Sequence, residues 1–357
     1  MVNVKKRIPW VDLMETIAMY LVVLYHGTIY AENSELDKCL MYFFRTIIST
    51  SVPIFFFVNG YLLFNRKFEL KKHILKTIRL IVLTGIWAVI TLGLLMVIKN
   101  EYLTFSDMLK YLWTWKLGWL NHLWYMGALV CIYIFFPLLK VVYDTNKKIF
   151  IYFIVVCAIV TFGNSLMNVA ATVVSCLLNM GDTFYDVNFF NMFNPLRGIY
   201  GYTFVYFCFG GMIPLIYNRI VSIESKKRNR IAIVGLLMNL FLLFGIGIMY
   251  SNLLDEMWDV AWNSCGTIFT FLNVFFIFVL CLNFNSDNKL ISTISKNTMG
   301  IYFLHELFIQ LTRPSIMSNP LLCNFFVNII YAGLIVLVSL AFCIGLKKIP
   351  GIRFLLK

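Results

Sequence analysis

The sequence predicts an all-α, polytopic membrane protein: a bundle of about ten transmembrane helices. Hydrophobic residues make up 61% of the 357 residues and charged residues only 13%, whereas a soluble domain carries about 25% charged residues. Several apolar runs reach the roughly 20 residues that a helix needs to cross a bilayer. The basic residues fall mainly in every second connection between these runs, as the positive-inside rule predicts.

Ten apolar runs are the candidate spans. They cover approximately residues 10–30, 42–64, 76–98, 122–142, 149–168, 199–217, 230–250, 262–284, 292–312 and 323–346. The first run begins too polar for a cleaved signal peptide, and no convincing cleavage site follows it. The stretch from Asn168 to Met180 is also compatible with a short re-entrant helix. We expect one transmembrane domain over residues 1–357.

The basic cytoplasmic loops that this topology predicts account for most of the formal net charge of +13. An even number of spans puts both termini on one side, and the positive-inside rule makes that side the cytoplasm of a multi-pass protein in the cell (inner or plasma) membrane. The basic loops then face anionic membrane lipid, so the charge does not predict nucleic-acid binding. The nine cysteines are scattered without a C-x-x-C pair, and we predict no metal site.

Polar residues inside apolar spans are costly and often mark a functional path. In the first span, Glu15 and His26 are eleven residues apart, which places them on one face of a helix and about 16 Å apart along it. Asp12 precedes them. These residues are compatible with a carboxylate favoured by the helix dipole and a structural histidine. They are equally compatible with an imidazole that takes a proton from a hydroxyl.

Two features flank the connection between the second and third spans. Pro53 is expected to kink the second span, and Gly60 to permit close helix packing. Lys76 and Arg79, one turn apart and preceded by Lys72, open the third span. They are either snorkelling anchors or a clamp for phosphate groups.

Two further polar elements contain histidine. His122 and Tyr125 lie at the start of the fourth span. An interfacial aromatic belt explains the nearby Trp113, Trp115 and Trp119 but accounts less well for His122. His305 and Glu306 lie inside the ninth span and need hydrogen-bond partners there. A structural network between helices and a functional site explain this pair equally well.

In chain order, these elements resemble the acyltransferase 3 family, bacterial multi-span membrane enzymes that move acyl groups, usually acetyl, onto extracytoplasmic glycans and related acceptors. The matching residues are Asp12 and His26; Pro53, Phe55, Phe56, Gly60 and Tyr61; Lys76 and Arg79; His122, Leu123, Trp124 and Tyr125; Tyr206, Phe207, Gly210 and Gly211; and Thr298, Gly300, Ile301, Tyr302 and His305. Glu15 stands where the family usually has an arginine thought to help hold the donor, and Asn59 replaces a common serine.

The resemblance implies an O-acetyltransferase that uses acetyl-CoA (an acyl-CoA) as co-substrate, has no bound cofactor, and modifies a glycan or lipid-linked sugar. His26 would be the catalytic residue, as a general base or as a nucleophile. The residues expected to support or orient it are Asp12, Glu15, His122, Tyr125, His305 and Glu306. The residues expected to hold the CoA phosphates are Lys76, Arg79 and Lys72.

Two other function classes explain the same spans. A membrane transporter or flippase needs buried polar residues without chemistry, although we find no inverted repeat of the kind that such proteins often contain. A non-catalytic acyltransferase-like sensor or assembly subunit is the third possibility, because Glu15 reverses the charge of a donor-binding position.

Overall fold

The computed structural model describes residues 7–28, 35–114, 118–180, 189–194, 196, 201–254 and 265–356. Residues 29–30, 199–200 and 262–264 of the predicted spans lie outside these ranges. Within them all regular structure is helical and there is no strand, which confirms the all-α prediction.

The described residues form twelve α-helices. These are α1 (Pro9–Gly27), α2 (Glu35–Ile48), α3 (Ser51–Phe64), α4 (Leu70–Lys99), α5 (Phe105–Thr114), α6 (Trp124–Thr145), α7 (Lys147–Leu178), α8 (Gly201–Val221), α9 (Ser225–Leu254), α10 (Ile268–Cys281), α11 (Lys289–Met317) and α12 (Phe325–Leu346). Short 3-10 turns cover Gly118–Leu123, Phe189–Phe193, Pro320–Leu322 and Arg353–Leu356.

Each predicted span coincides with one helix or a helix pair. Seven helices of the described part are long and apolar enough to cross a membrane, with α2 and α3 counted together, and α10 is a shorter apolar helix. The helices α1 and α11 do not meet the same criterion. Helix α1 carries Asp12, Glu15 and His26, and α11 carries acidic, basic and amide side chains along its length. Those two helices supply most of the polar residues considered below.

Two local predictions need correction. The second span is not one kinked helix, because the chain turns at Ser49 and Thr50 and Pro53 lies in the first turn of α3. There the missing N–H of proline costs little, since first-turn N–H groups have no partner within the helix. The suggested re-entrant helix after Asn168 is also absent, because α7 continues to Leu178.

The chain divides into two compact units. Unit 1 comprises Met1–Val22, Glu32–Leu63 and Ile151–Lys296, and unit 2 comprises Val23–Ala31, Phe64–Phe150 and Asn297–Lys357. Divisions fall inside α1, α7 and α11 and before the last residue of α3, so each of these helices contributes residues to both units. That the whole chain acts as a single domain stays a prediction.

Unit 1 contains a close crossing of α3 and α8. A Cβ at Gly60 would collide with the backbone of Phe207, and a Cβ at Gly210 would collide with the backbone of Phe57. Only glycine lets the two backbones approach this closely. The close packing expected at Gly60 is therefore present.

Unit 2 packs α11 against α4 and α12. The indole of Trp87 stacks on Phe303, with centroids 5.0 Å apart, and donates a hydrogen bond to the Leu355 carbonyl at 2.8 Å. A Cβ at Gly300 would collide with Cys343, so glycine brings α12 close to α11. These contacts fix the segment of α11 that carries Tyr302, His305 and Glu306.

Candidate active site

Four polar side chains of unit 2 lie close together. His26 comes from the last turn of α1, His122 from the 3-10 turn before α6, and His305 and Glu306 from α11. The ring centroid of His305 is 5.4 Å from that of His26 and 6.0 Å from that of His122. We call these four residues the histidine cluster.

The carboxylate of the histidine cluster faces His26. Glu306 Oε2 is 4.0 Å from His26 Nδ1, and the side chains are 15% and 28% exposed. The other oxygen, Oε1, accepts a hydrogen bond from Gln310 Nε2 at 2.7 Å. Glu306 is thus held in place by the residue one turn further along α11, and it is positioned to stabilise positive charge on the His26 ring.

The tautomer of His305 follows from its hydrogen bond. His305 Nδ1 is 2.5 Å from the Tyr302 carbonyl oxygen, and because a carbonyl only accepts, Nδ1 must carry the proton. In the neutral ring the other nitrogen, Nε2, is then a hydrogen-bond acceptor. The residue is fully buried, and Nε2 has no hydrogen-bond partner among the described residues.

Two tyrosines connect His122 to α11. The hydroxyl of Tyr302 donates to the His122 carbonyl oxygen, and the ring of Tyr125 lies 5.5 Å from that of Tyr302 in an edge-on arrangement. His122 is 4% exposed, and its Nε2 is also buried without a partner in the described part of the chain. The contacts thus bring the start of α6 to the histidine cluster.

This arrangement suits acid–base chemistry. An imidazole with one nitrogen turned to a carboxylate and the other available to a substrate is the pairing used to deprotonate hydroxyl groups. Among the described residues, no group of three or more His, Cys, Asp or Glu side chains could hold a metal ion. The side chains of the cluster are bases and hydrogen-bonding groups.

The three predicted phosphate-binding residues lie on α4 in unit 2, each with a different partner. Lys76 Nζ is 3.2 Å from the Tyr133 hydroxyl and 5.0 Å from its ring centroid. Arg79 donates to the Phe354 carbonyl oxygen at 3.4 Å. Lys72 pairs with Glu69 at 2.8 Å, and both side chains are largely exposed.

Asp12 and Glu15 belong to unit 1 and form a separate network. Arg7 binds the Asp12 carboxylate through Nε at 2.7 Å and through Nη2, and this bond is the main reason why the pKa of Arg7 is raised. Ser295 Oγ lies 3.0 Å from Asp12 Oδ1 and 2.5 Å from Glu15 Oε2. We call Arg7, Asp12, Glu15 and Ser295 the carboxylate network.

Comparison with known proteins decides the chemical class. Residues 8–348 match the family model described as an acyltransferase domain. The chain belongs to the acyltransferase 3 family. This confirms the resemblance inferred from the motifs, and it makes this acyltransferase 3 protein a membrane acyltransferase. No curated protein and no solved structure matches the chain.

The structure adds residues that the sequence analysis did not select. Gln310 follows Glu306 by four residues, a spacing that places two side chains side by side on a helix, so this contact was readable from the sequence. Arg7 lies only five positions before Asp12. Ser295 was not readable from the sequence, because it is 283 positions from Asp12 and only packing of α11 against α1 brings it to Asp12 and Glu15.

Proposed function

We propose that this acyltransferase 3 protein is an O-acetyltransferase that moves an acetyl group from cytoplasmic acetyl-CoA to a hydroxyl of a cell-surface glycan or its lipid-linked precursor. The observation that carries the proposal is the pairing of His26 with Glu306 inside the histidine cluster. Membership of the family supports acyl transfer. An imidazole base that faces a carboxylate 4.0 Å away supports a hydroxyl acceptor, because a hydroxyl must lose its proton as it attacks.

His26 acts as the general base in this proposal. With its proton on Nδ1, facing Glu306, its Nε2 lone pair takes the proton of the acceptor hydroxyl. The acceptor oxygen attacks the thioester carbonyl carbon, the C–O bond forms and the C–S bond breaks. The departing CoA thiolate then takes the proton from His26. Glu306 stabilises the imidazolium that exists between the two proton transfers.

The donor is assigned to the basic face of α4. Lys76 and Arg79 are one turn apart, and their side chains are partly exposed, as a site for the CoA phosphates requires. Lys72 lies one turn earlier and extends the same positive segment. The basic segments also support a topology in which both termini and this end of α4 lie in the cytoplasm, where acetyl-CoA is made.

The proposal is tested by labelled transfer. Membranes that contain the full chain should move label from acetyl-CoA into a glycan or lipid-linked sugar fraction, and His26→Ala membranes with the same amount of folded protein should not. Binding of acetyl-CoA without any transfer would contradict the enzyme assignment and favour a sensor or assembly subunit. Movement of unmodified sugar across the membrane without acetylation would favour a flippase.

A partial reaction separates the two possible roles of His26. Incubation with labelled acetyl-CoA in the absence of an acceptor should leave the protein unlabelled if His26 is a base. Stable label on His26 would contradict the base role and would identify this residue as the nucleophile.

A further inference from the structure

The last turn of α1, which carries His26, packs against the start of α12. The side chain of Asn328 is fully buried, and its amide donates a hydrogen bond of 3.4 Å to the Leu24 carbonyl oxygen. Leu24 is one of the last four residues of α1, whose carbonyl groups have no partner within the helix. The amide of Asn328 therefore supplies a donor to the end of α1, two residues before His26.

Gly27 brings α1 and α12 close together at this point. A Cβ at Gly27 would lie 2.8 Å from Asn328 Oδ1, which is a collision, and 3.5 Å from Tyr331 Cδ1, which is ordinary contact. A larger residue at position 27 would thus displace the Asn328 amide from its place beside α1. Glycine keeps the amide within reach of the Leu24 carbonyl.

Tyr331 connects the same face of α12 to α11. Asn328 and Tyr331 are three residues apart and are neighbours on the helix surface. The Tyr331 hydroxyl is 2.8 Å from Thr312 Oγ1. Thr312 donates its one hydroxyl proton to the Phe308 carbonyl oxygen at 2.7 Å, so Tyr331 is the donor in this bond. One face of α12 therefore holds both the end of α1 and a part of α11.

Further contacts fix α12 along α11. The ring of Phe342 meets that of Phe308 edge-on, with centroids 4.8 Å apart. At the other contact, Gly300 lets α11 approach Cys343 closely. Glu306 lies between Gly300 and Phe308 in the sequence, so α12 holds α11 on both sides of Glu306.

Glu306 and His26 do not hold each other. Glu306 Oε2 is 4.0 Å from His26 Nδ1, whereas the heavy atoms of a hydrogen bond are at most about 3.5 Å apart. Misplacement of a reacting group by about 1 Å can cost about 10²-fold in rate. The helices that carry the two groups must therefore be fixed by other contacts, and α12 contacts both of them.

We infer that Asn328 is a positioning residue for His26. Bonded to Leu24 and packed on Gly27, it sets the distance between the His26 imidazole and the Glu306 carboxylate. The inference rests on the proposed function, since this pair is the proposed general base and its carboxylate. Asn328 acts through the backbone of α1.

The first test is the kinetics of Asn328→Ala in the full chain in lipid nanodiscs. The kcat for acetyl transfer should fall about tenfold, because His26 moves relative to Glu306. The KM for acetyl-CoA should change less than about twofold, because the proposed donor-binding residues lie on α4 and keep their contacts. An unchanged kcat would overturn the inference.

A buried amide of unit 1 provides the matched control. Asn273 is also fully buried, and it accepts a hydrogen bond of 2.9 Å from Asn239 on another helix. Asn273→Ala should leave kcat per folded protein within about twofold. Equal kcat losses in Asn273→Ala and Asn328→Ala would mean that Asn328 has only a structural role.

Gly27→Ala tests the contact from the side of α1. Its added methyl group should displace the Asn328 amide and reproduce the kcat loss of Asn328→Ala. In the Asn328→Ala background the same change should cost less than about twofold, because the colliding oxygen is gone. Losses that multiply in the double variant would contradict the inference.

A double-mutant cycle with Glu306→Gln tests what Asn328 positions. In the Glu306→Gln background, Asn328→Ala should lower kcat by less than about twofold, because the charge that His26 must face is already absent. A full tenfold loss in that background would show that Asn328 does not act through the spacing of His26 and Glu306.

Histidine NMR gives a readout that does not need turnover. The chain has only four histidines, so ¹⁵N-histidine spectra can resolve each ring. Asn328→Ala should shift the His26 signal in the same direction as Glu306→Gln does. The signal of His73, whose Nε2 donates to the Tyr133 carbonyl at 2.7 Å, should stay unchanged. An unshifted His26 signal in Asn328→Ala would overturn the inference.

The two proposals fail differently. If the wild type transfers acetyl groups and Asn328→Ala changes neither kcat nor the His26 signal, the proposed function stands and the inference fails. If no acceptor is ever acetylated but the His26 signal responds to both Asn328→Ala and Glu306→Gln, the positioning role stands and the O-acetyltransferase assignment fails.

Discussion

The carboxylate network of unit 1 and the histidine cluster of unit 2 each combine carboxylate with other polar side chains, but they differ in hydrogen bonding. In the network, Asp12 accepts hydrogen bonds from Arg7, and Ser295 lies within hydrogen-bond distance of Asp12 and Glu15 and donates its one hydroxyl proton to either carboxylate. In the cluster, Glu306 is held by Gln310 and faces His26, while two buried imidazole nitrogens have no partner in the described part of the chain.

This difference in hydrogen bonding suggests a structural role for the carboxylate network and a chemical role for the histidine cluster. A network whose polar groups are bonded to one another stabilises the fold and fixes one arrangement of its helices. Buried polar groups without partners are rare in folded proteins, and the two unpartnered nitrogens of the histidine cluster support the proposal that substrate binds there. We therefore place the chemistry in the histidine cluster and treat Asp12 and Glu15 as part of a structural network that includes Arg7.

His26→Ala should have the largest effect on activity. Loss of the general base should lower the rate of acetyl transfer about 10²- to 10⁴-fold, measured as labelled product per folded protein. The matched control is His73→Gln, which changes a buried histidine whose ring bonds the Tyr133 carbonyl. This control should reduce stability and leave the rate within about twofold. Equal rate losses in both variants would remove the distinction between the cluster and a structural histidine.

Asp12→Asn should act on stability rather than on rate. It removes the charge partner of Arg7, and we expect the free energy of unfolding to fall by about 1–2 kcal/mol, a modest value because Arg7 is partly exposed. Denaturation in detergent checks this. Glu69→Gln, which changes an exposed carboxylate paired with Lys72, should cost less than about 0.5 kcal/mol. A loss of rate in Asp12→Asn at unchanged stability would place Asp12 in the catalytic machinery.

Arg79→Gln and Lys76→Gln should weaken donor binding. We expect the KM for acetyl-CoA to rise about five- to tenfold with little change in kcat, because a surface charge–phosphate contact contributes equally to ground and transition states. Lys72→Gln should have a smaller effect, since Lys72 already pairs with Glu69. Identical KM values for all three variants and the wild type would indicate that these residues anchor α4 at the membrane surface and do not bind the CoA phosphates.

Glu15→Arg should have the smallest effect on activity. Glu15 accepts a hydrogen bond from Ser295 and interacts electrostatically with Arg7. An arginine at position 15 would lose this hydrogen bond and would place a second positive charge near Arg7. We expect the KM for acetyl-CoA to change less than about twofold and the unfolding temperature to fall. A large gain in CoA affinity would show instead that Glu15 weakens donor binding.

Hydropathy and residue type predicted most of the architecture and the members of the histidine cluster. All four members of the histidine cluster were selected because charged and polar residues are rare within apolar helices, and the resemblance assigned the catalytic role to His26. The turn at Ser49 was missed because hydropathy does not distinguish one long helix from two short ones.

The sequence did not predict most of the hydrogen-bond partners, because most of them are distant in sequence. Helix periodicity predicts a stripe from Glu15 to His26, and this stays a prediction that assigns no hydrogen-bond partners. The partner of Glu15 is Ser295 and the partner of His26 is Glu306. Both come from α11, which is distant from α1 in sequence and contributes Ser295 to unit 1 and Glu306 to unit 2. The tautomer of His305 depends on one carbonyl contact, which no residue pattern reports.

The most direct test of the central claim compares two isosteric changes side by side: Glu306→Gln in the histidine cluster and Asp12→Asn in the carboxylate network. Each removes one buried carboxylate charge at almost constant shape. The measurement is kcat for acetyl transfer per folded protein. We predict a loss of about 10²-fold or more for Glu306→Gln, because the imidazolium loses its stabilising charge, and an unchanged kcat for Asp12→Asn. Equal losses, or full activity in Glu306→Gln, would contradict the assignment of chemistry to the histidine cluster.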